Sequence, residues 1–76
     1  MDIKQMVGQR LRDWRKAQGL TQAELGACLG ISGPAVYAIE VGRNLSFGRA
    51  AQIAALIGVT VDELLRGEPE HAATQS

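Results

Sequence analysis

One cysteine, Cys28, and one histidine, His71, are the residues of this chain whose types most readily carry covalent, redox or metal chemistry. A single cysteine builds no disulfide framework, and one cysteine with one histidine cannot complete a structural zinc site. A reactive thiolate needs a cation or a base nearby. Helical spacing sets Cys28 away from the apolar Leu25 and Leu29, with no basic or histidine neighbour in its turns, so a passive thiol is expected rather than a redox switch. His71 falls in a polar tail and carries no expected role. No base stands beside a nucleophile, and no glycine loop runs into the Lys-Ser/Thr of a phosphate cradle. The chain is therefore expected to be neither an enzyme nor a cofactor carrier.

What remains is binding chemistry, and the cations point to it. The formal net charge is zero, yet residues 1–50 carry +3 and residues 51–76 carry −3. A protein that binds a polyanion need not be basic overall if its cations share one face. Arg10, Arg12, Arg15 and Lys16 form a basic run; such a run reads first as a solvated helix face, part of which could face phosphates. One Trp, one Tyr and one Phe are too few for a platform that stacks single-stranded bases. An apolar content of 46% is too high for disorder, and 76 residues accommodate one small core. No apolar run is long enough to span a bilayer, and the polar, mixed-charge start does not read as a secretory signal, so a cytoplasmic location is expected.

The elements that must position these residues read as five helices with short turns and no strand. Ile3, Val7, Leu11 and Trp14 recur at helical spacing and predict a first helix over residues 3–18, ended by Gly19 and with Trp14 in the core. Thr21-Gln22-Ala23-Glu24 is a capping box that opens a second helix, closed by Gly30. Ser32 caps a third, with Gly33 and Pro34 in its first turn, where a missing amide proton costs nothing; Gly42 stops it. Ser46 caps a fourth helix holding Phe47, Ala50, Ile53, Ala54 and Ile57, and Gly58 ends it. A second capping box, Thr60-Val61-Asp62-Glu63, opens a short fifth helix with Leu64 and Leu65. Residues 1–66 are expected to form one domain and residues 67–76 a flexible polar tail.

Within this frame the informative unit runs from Gln22 to Val41: helix, tight turn, helix. Gly26 is small where the two helices approach, Gly30 suits the chain reversal, and Leu25, Leu29, Ile31, Val36 and Ile39 fill the space between them. Those are the steric demands of a helix-turn-helix, whose second helix lies in a major groove.

The ordered set Gly19-Leu20-Thr21-Gln22-Ala23-Glu24-Leu25, Gly30-Ile31-Ser32, Val36 and Ile39-Glu40-x-Gly42 resembles the lambda-repressor and Cro-like (XRE) helix-turn-helix family. So does Ile53-Ala54-x-x-Ile57-Gly58-Val59-Thr60-Val61-Asp62-Glu63-Leu64 downstream, and the resemblance extends over residues 8–66. It implies an all-α, five-helix DNA-binding domain that acts as a transcriptional regulator. It also implies that Gln22 clamps a phosphate beside Thr21 at a helix N-terminus. Arg15 and Glu40 would form a largely buried pair tying the first helix to the third, and Arg43 and Asn44 would touch the DNA backbone or enter a minor groove. A two-fold dimer on a roughly palindromic operator is implied as well. The loop from Glu40 to Ser46 departs from the common form, being one residue shorter, with Leu45 where proline is usual.

The third helix has its own chemistry. With Val36, Ile39 and Glu40 facing the core, Pro34, Tyr37, Ala38 and Val41 point outward. That stripe holds one phenol and otherwise no side-chain hydrogen-bonding group. If it enters a groove beside Ser32 and Gly33, recognition leans on thymine methyls and on DNA shape. The alternative is an apolar docking face for another protein in a fold that has lost DNA binding. Leu56, Val59, Val61, Leu64 and Leu65 exceed what one small core needs and are expected to form a dimer patch, the alternative being burial of all five within the protomer, which the exposure of Leu65 decides. Repression by promoter occupancy needs no chemistry and is the default. A phage repressor, a restriction–modification controller and an antitoxin-like autoregulator all suit the sequence.

Overall fold

The computed structural model describes residues 2–66; Met1 and the tail from Gly67, with His71, lie outside the described residues. Five helices follow one another with no strand among those residues: α1 (Ile3–Ala17), α2 (Gln22–Leu29), α3 (Gly33–Glu40), α4 (Phe47–Ile57) and α5 (Val61–Arg66). Side-chain caps set where each of the last four begins. Thr21 Oγ1 accepts from the Glu24 amide at 3.0 Å while Glu24 Oε1 accepts from the Thr21 amide at 2.8 Å. Ser32 accepts from the Ala35 amide and Ser46 from the Arg49 amide. Thr60 and Glu63 repeat the reciprocal arrangement ahead of α5. Each cap satisfies amides that a helix start leaves without partners.

α2 packs on α3, and α1 lies against α3, α4 and α5. The core they enclose is Val7, Leu11, Leu25, Leu29, Val36, Ile39, Ala50, Ile53, Ala54 and Leu64. Two glycines let the helices close on one another. A Cβ on Gly26 would meet the backbone carbonyl of Ile31 and, at 3.1 Å, that of Ser32, so α2 and the start of α3 approach only because the side chain is absent. Gly8 does the same between α1 and α3, and no sequence signal marked it: a Cβ there would meet the Ile39 carbonyl oxygen and, at 2.7 Å, that of Glu40. Those atoms are backbone and cannot swing aside. Gly8→Val is accordingly expected to force α1 off α3 and lower stability by about 3 kcal/mol, read as a shifted urea midpoint at unchanged slope. An unchanged midpoint would show that the contact yields.

The structure moves several side chains from their expected places. Leu64 is completely buried in the protomer's own core and so is unavailable to a dimer patch. Neighbouring helical residues point about 100° apart, and α5 is turned so that Leu64 enters while Leu65 stays half-buried. Trp14 and Ile57 flank the core half-buried rather than fill it. Phe47, at the first residue of α4, is 75% exposed, outside the packed layer. α1 ends at Ala17, with Gln18 as its cap.

Candidate nucleic-acid interface

The surface that could meet DNA is built from the N-termini of α2 and α3, the outer face of α3 and the loop after it. Val36, Ile39 and Glu40 turn inward, which leaves Pro34, Tyr37 and Val41 exposed. Ala38, expected on the outward stripe, is half-buried at its edge. Gly33 keeps the starts of the two helices together: a Cβ on it would stand 3.3 Å from the Ala23 amide nitrogen. Two helix N-termini therefore converge, and their partial positive charges favour an anion.

Thr21 and Ser32 present donors at this point. Both hydroxyl oxygens accept from amides as caps, and a hydroxyl that accepts in this way still has its proton to donate. Beside them lies a buried polar cluster. Arg15 Nε donates to Glu40 Oε2 at 2.7 Å and Arg15 Nη2 to Glu40 Oε1 at 3.2 Å, while Arg15 Nη1 donates to the Leu20 carbonyl at 2.9 Å. The two side chains are 12% and 3% exposed, so the pair is sheltered and its bonds are stronger than they would be in water. Donation to the Glu40 carboxylate holds the Arg15 guanidinium above its ordinary pKa, against the pull of burial.

Gln22 joins this cluster, its Nε2 donating to Glu40 Oε1 at 3.1 Å. The carboxylate thus decides which end of the carboxamide is which, and one N–H of Gln22 is left over. A phosphate oxygen needs a donor, and that N–H is one.

The loop after α3 is pinned at its start. The amides of Gly42 and Arg43 donate to the carbonyls of Ile39 and Ala38, at 3.0 and 2.8 Å. Arg43 and Asn44 are both exposed, and Asn44 takes a left-handed backbone with φ 50°. Asparagine tolerates that region better than most residues, which is how the loop turns there without another glycine. No sequence signal beyond the residue type marked it.

The basic run is divided by the fold. Arg10 Nη1 donates to the Glu63 carbonyl at 3.4 Å, tying α1 to α5, and Arg15 is consumed by Glu40. Arg12 instead lines a polar cleft of about 360 Å³ between α1 and α3, with Gln9, Arg15, Gln22, Tyr37, Glu40 and Val41.

Away from this face, Leu56, Val59, Val61 and Leu65 are half-buried. Leu65 also lines an apolar groove of about 320 Å³, together with Ile3, Leu45, Phe47 and Ala50, with Asp2, Lys4 and Ser46 completing the lining. Ile3 and Phe47 are the molecule's most exposed large apolar side chains among the described residues, although periodicity groups Ile3 with Val7 and Leu11, and Phe47 with Ala50 and Ile53. Cys28 is exposed. Among the described residues no three His, Cys, Asp or Glu side chains gather in a way that could hold a metal. No helix there is long and apolar enough to cross a membrane. Against known families, a helix-turn-helix model matches residues 11–64, from the middle of α1 into α5.

Proposed function

Because the chain belongs to the lambda-repressor and Cro-like (XRE-type) helix-turn-helix family of DNA-binding transcription regulators, we propose that it works as a homodimeric repressor that occupies a roughly palindromic operator, in a phage, restriction–modification or similar bacterial operon. The observation that carries this reading is the convergence at one surface of the Thr21 and Ser32 hydroxyls, the spare Gln22 N–H and the exposed face of α3, with Arg43 in the adjoining loop. Phosphates would take the first three and Arg43, with Asn44 beside it. Gly33 and Pro34 at the start of α3, with Ala38 at the edge of the stripe, offer no hydrogen-bonding side chain, so discrimination rests on thymine methyls and DNA deformability.

The second half of the proposal is the dimer. Its contact surface takes in Leu56, Val59, Val61 and Leu65, and continues through Leu65 into the groove beside Phe47 and Ile3. We assign that groove to a second copy of this chain. A two-fold contact must be self-complementary. Asp2 and Lys4, of opposite charge, both belong to the lining, so each could meet the other across such an axis.

Selection from a random duplex pool at near-physiological salt tests the reading. An inverted repeat with half-sites about one helical turn apart is expected, without strict guanine requirements opposite Pro34 and Ala38. Its affinity should fall steeply with added salt. An unenriched pool from folded, dimeric protein would overturn the reading and leave the Pro34, Tyr37 and Val41 face as a docking surface for another protein.

A further inference from the structure

The cleft between α1 and α3 holds a cation that nothing in the fold uses. Arg12 is exposed and has no hydrogen-bond or ion-pair partner among the described residues, whereas Arg10 is tied to α5 and Arg15 to Glu40. Glu40 is the one acid lining the cleft, and its carboxylate already accepts from Arg15 and Gln22 with only 3% of the side chain exposed. The nearby Asp13 accepts from Gln9 and is not part of the lining. An incoming group would therefore meet the unbalanced charge of Arg12, framed by Gln9, Gln22 and the phenol of Tyr37.

The helical order of α3 gives this arrangement a consequence. At about 100° per residue its exposed surface runs, from one edge to the other, Tyr37, Val41, Pro34, Ala38. Tyr37 and Val41 line the cleft, Pro34 does not, and Ala38 is half-covered at the far edge. Tyr37 is thus the exposed residue of α3 turned furthest toward α1, away from the middle of the face that would enter a groove. We propose that the cleft is a seat for one DNA backbone phosphate, held by the Arg12 guanidinium and the Tyr37 hydroxyl. Tyr37 then grips the backbone instead of reading bases, and α1 fixes the depth and tilt at which α3 docks. Base discrimination falls to Pro34, Val41 and the start of α3.

This inference rests on the DNA-binding reading, and its test separates the two. The affinity of the full chain for its selected duplex is measured across a salt series for the wild type and for Arg12→Gln, Tyr37→Phe and Lys16→Gln. Lys16 is an exposed cation of the same helix that does not line the cleft. Arg12→Gln is expected to weaken binding about 10-fold and to flatten the slope of log K against log salt by about 0.9, the loss of one phosphate contact. Tyr37→Phe removes a neutral donor, so affinity should drop about 3-fold with the slope intact. Lys16→Gln should leave the slope unchanged. Repeating the selection with the Arg12 and Tyr37 variants should return the wild-type base preferences. A slope unchanged in Arg12→Gln, an equal flattening in Lys16→Gln, or an altered base preference in Tyr37→Phe would each overturn the seat while the DNA-binding function stands. Wild-type protein that binds no duplex would overturn both.

Discussion

Glu40→Ala is expected to leave the domain largely unfolded at ambient temperature. The substitution strands the Arg15 guanidinium, of which only 12% of the side chain is exposed, opposite an empty site. It also takes away the acceptor that holds Gln22. Removing one member of a sheltered ion pair costs about 3–5 kcal/mol, because the remaining charge has lost both water and partner. A core of this size supplies little more than that in total. The companion variant in which Arg15 becomes Met and Glu40 becomes Leu strands no charge and is expected to keep its fold, with stability near that of the wild type. It should nevertheless bind DNA more weakly, since Gln22 would then be free to turn its oxygen toward the phosphate. Urea denaturation of both variants followed by duplex titration of the folded one is the check. A Glu40→Ala protein that loses less than about 1 kcal/mol would mean the guanidinium reaches water after all. Raising the pH offers no substitute for the mutation. The folded-state pKa of Arg15 lies above its ordinary value, so the pair's contribution is complete below that value and is lost only at still higher pH.

The second large effect belongs to the opposite side of the molecule. Phe47→Asp is expected to turn the proposed dimer into a folded monomer, because a side chain already 75% exposed contributes little to the protomer's own core. The new carboxylate would be buried in an apolar groove on association, without a partner. Linking two half-site contacts raises affinity by about 10²–10⁴-fold through effective concentration alone. Affinity for the two-half-site operator should fall by that factor, with binding to an isolated half-site unchanged. Sedimentation and operator titration together decide it. A Phe47→Asp protein that remains dimeric would exclude the groove from the interface and confine the contact to Leu56, Val59, Val61 and Leu65. The same replacement at Leu64 would be uninformative, since it destroys the core before it reaches any interface.

The sequence by itself determined the elements and their ends, because those are set by local chemistry. At a helix start, a threonine three residues before a glutamate closes a capping box from its own residues, and a serine ahead of Gly-Pro starts a helix by similar short-range bonds. The close approach at Gly26, the tight turn at Gly30, and the inward set Val36, Ile39 and Glu40 followed from spacing. The family resemblance pointed to Arg15, Glu40 and Gln22, three residues that the structure brings into one cluster. Only the tertiary structure decided which of two adjacent leucines is core. It alone showed that Phe47 lies outside the packed layer and that Gly8 lets α1 reach α3. Periodicity fixes a helix's apolar side to within roughly a residue, or about 100° of rotation. The final rotation is chosen by how the neighbouring helices cross, which involves residues far apart in the chain. The division of the basic run has the same origin. The resemblance set Arg15 apart, but nothing in the sequence distinguishes Arg10 from Arg12; the two differ because α5 and the open cleft stand in different directions from α1.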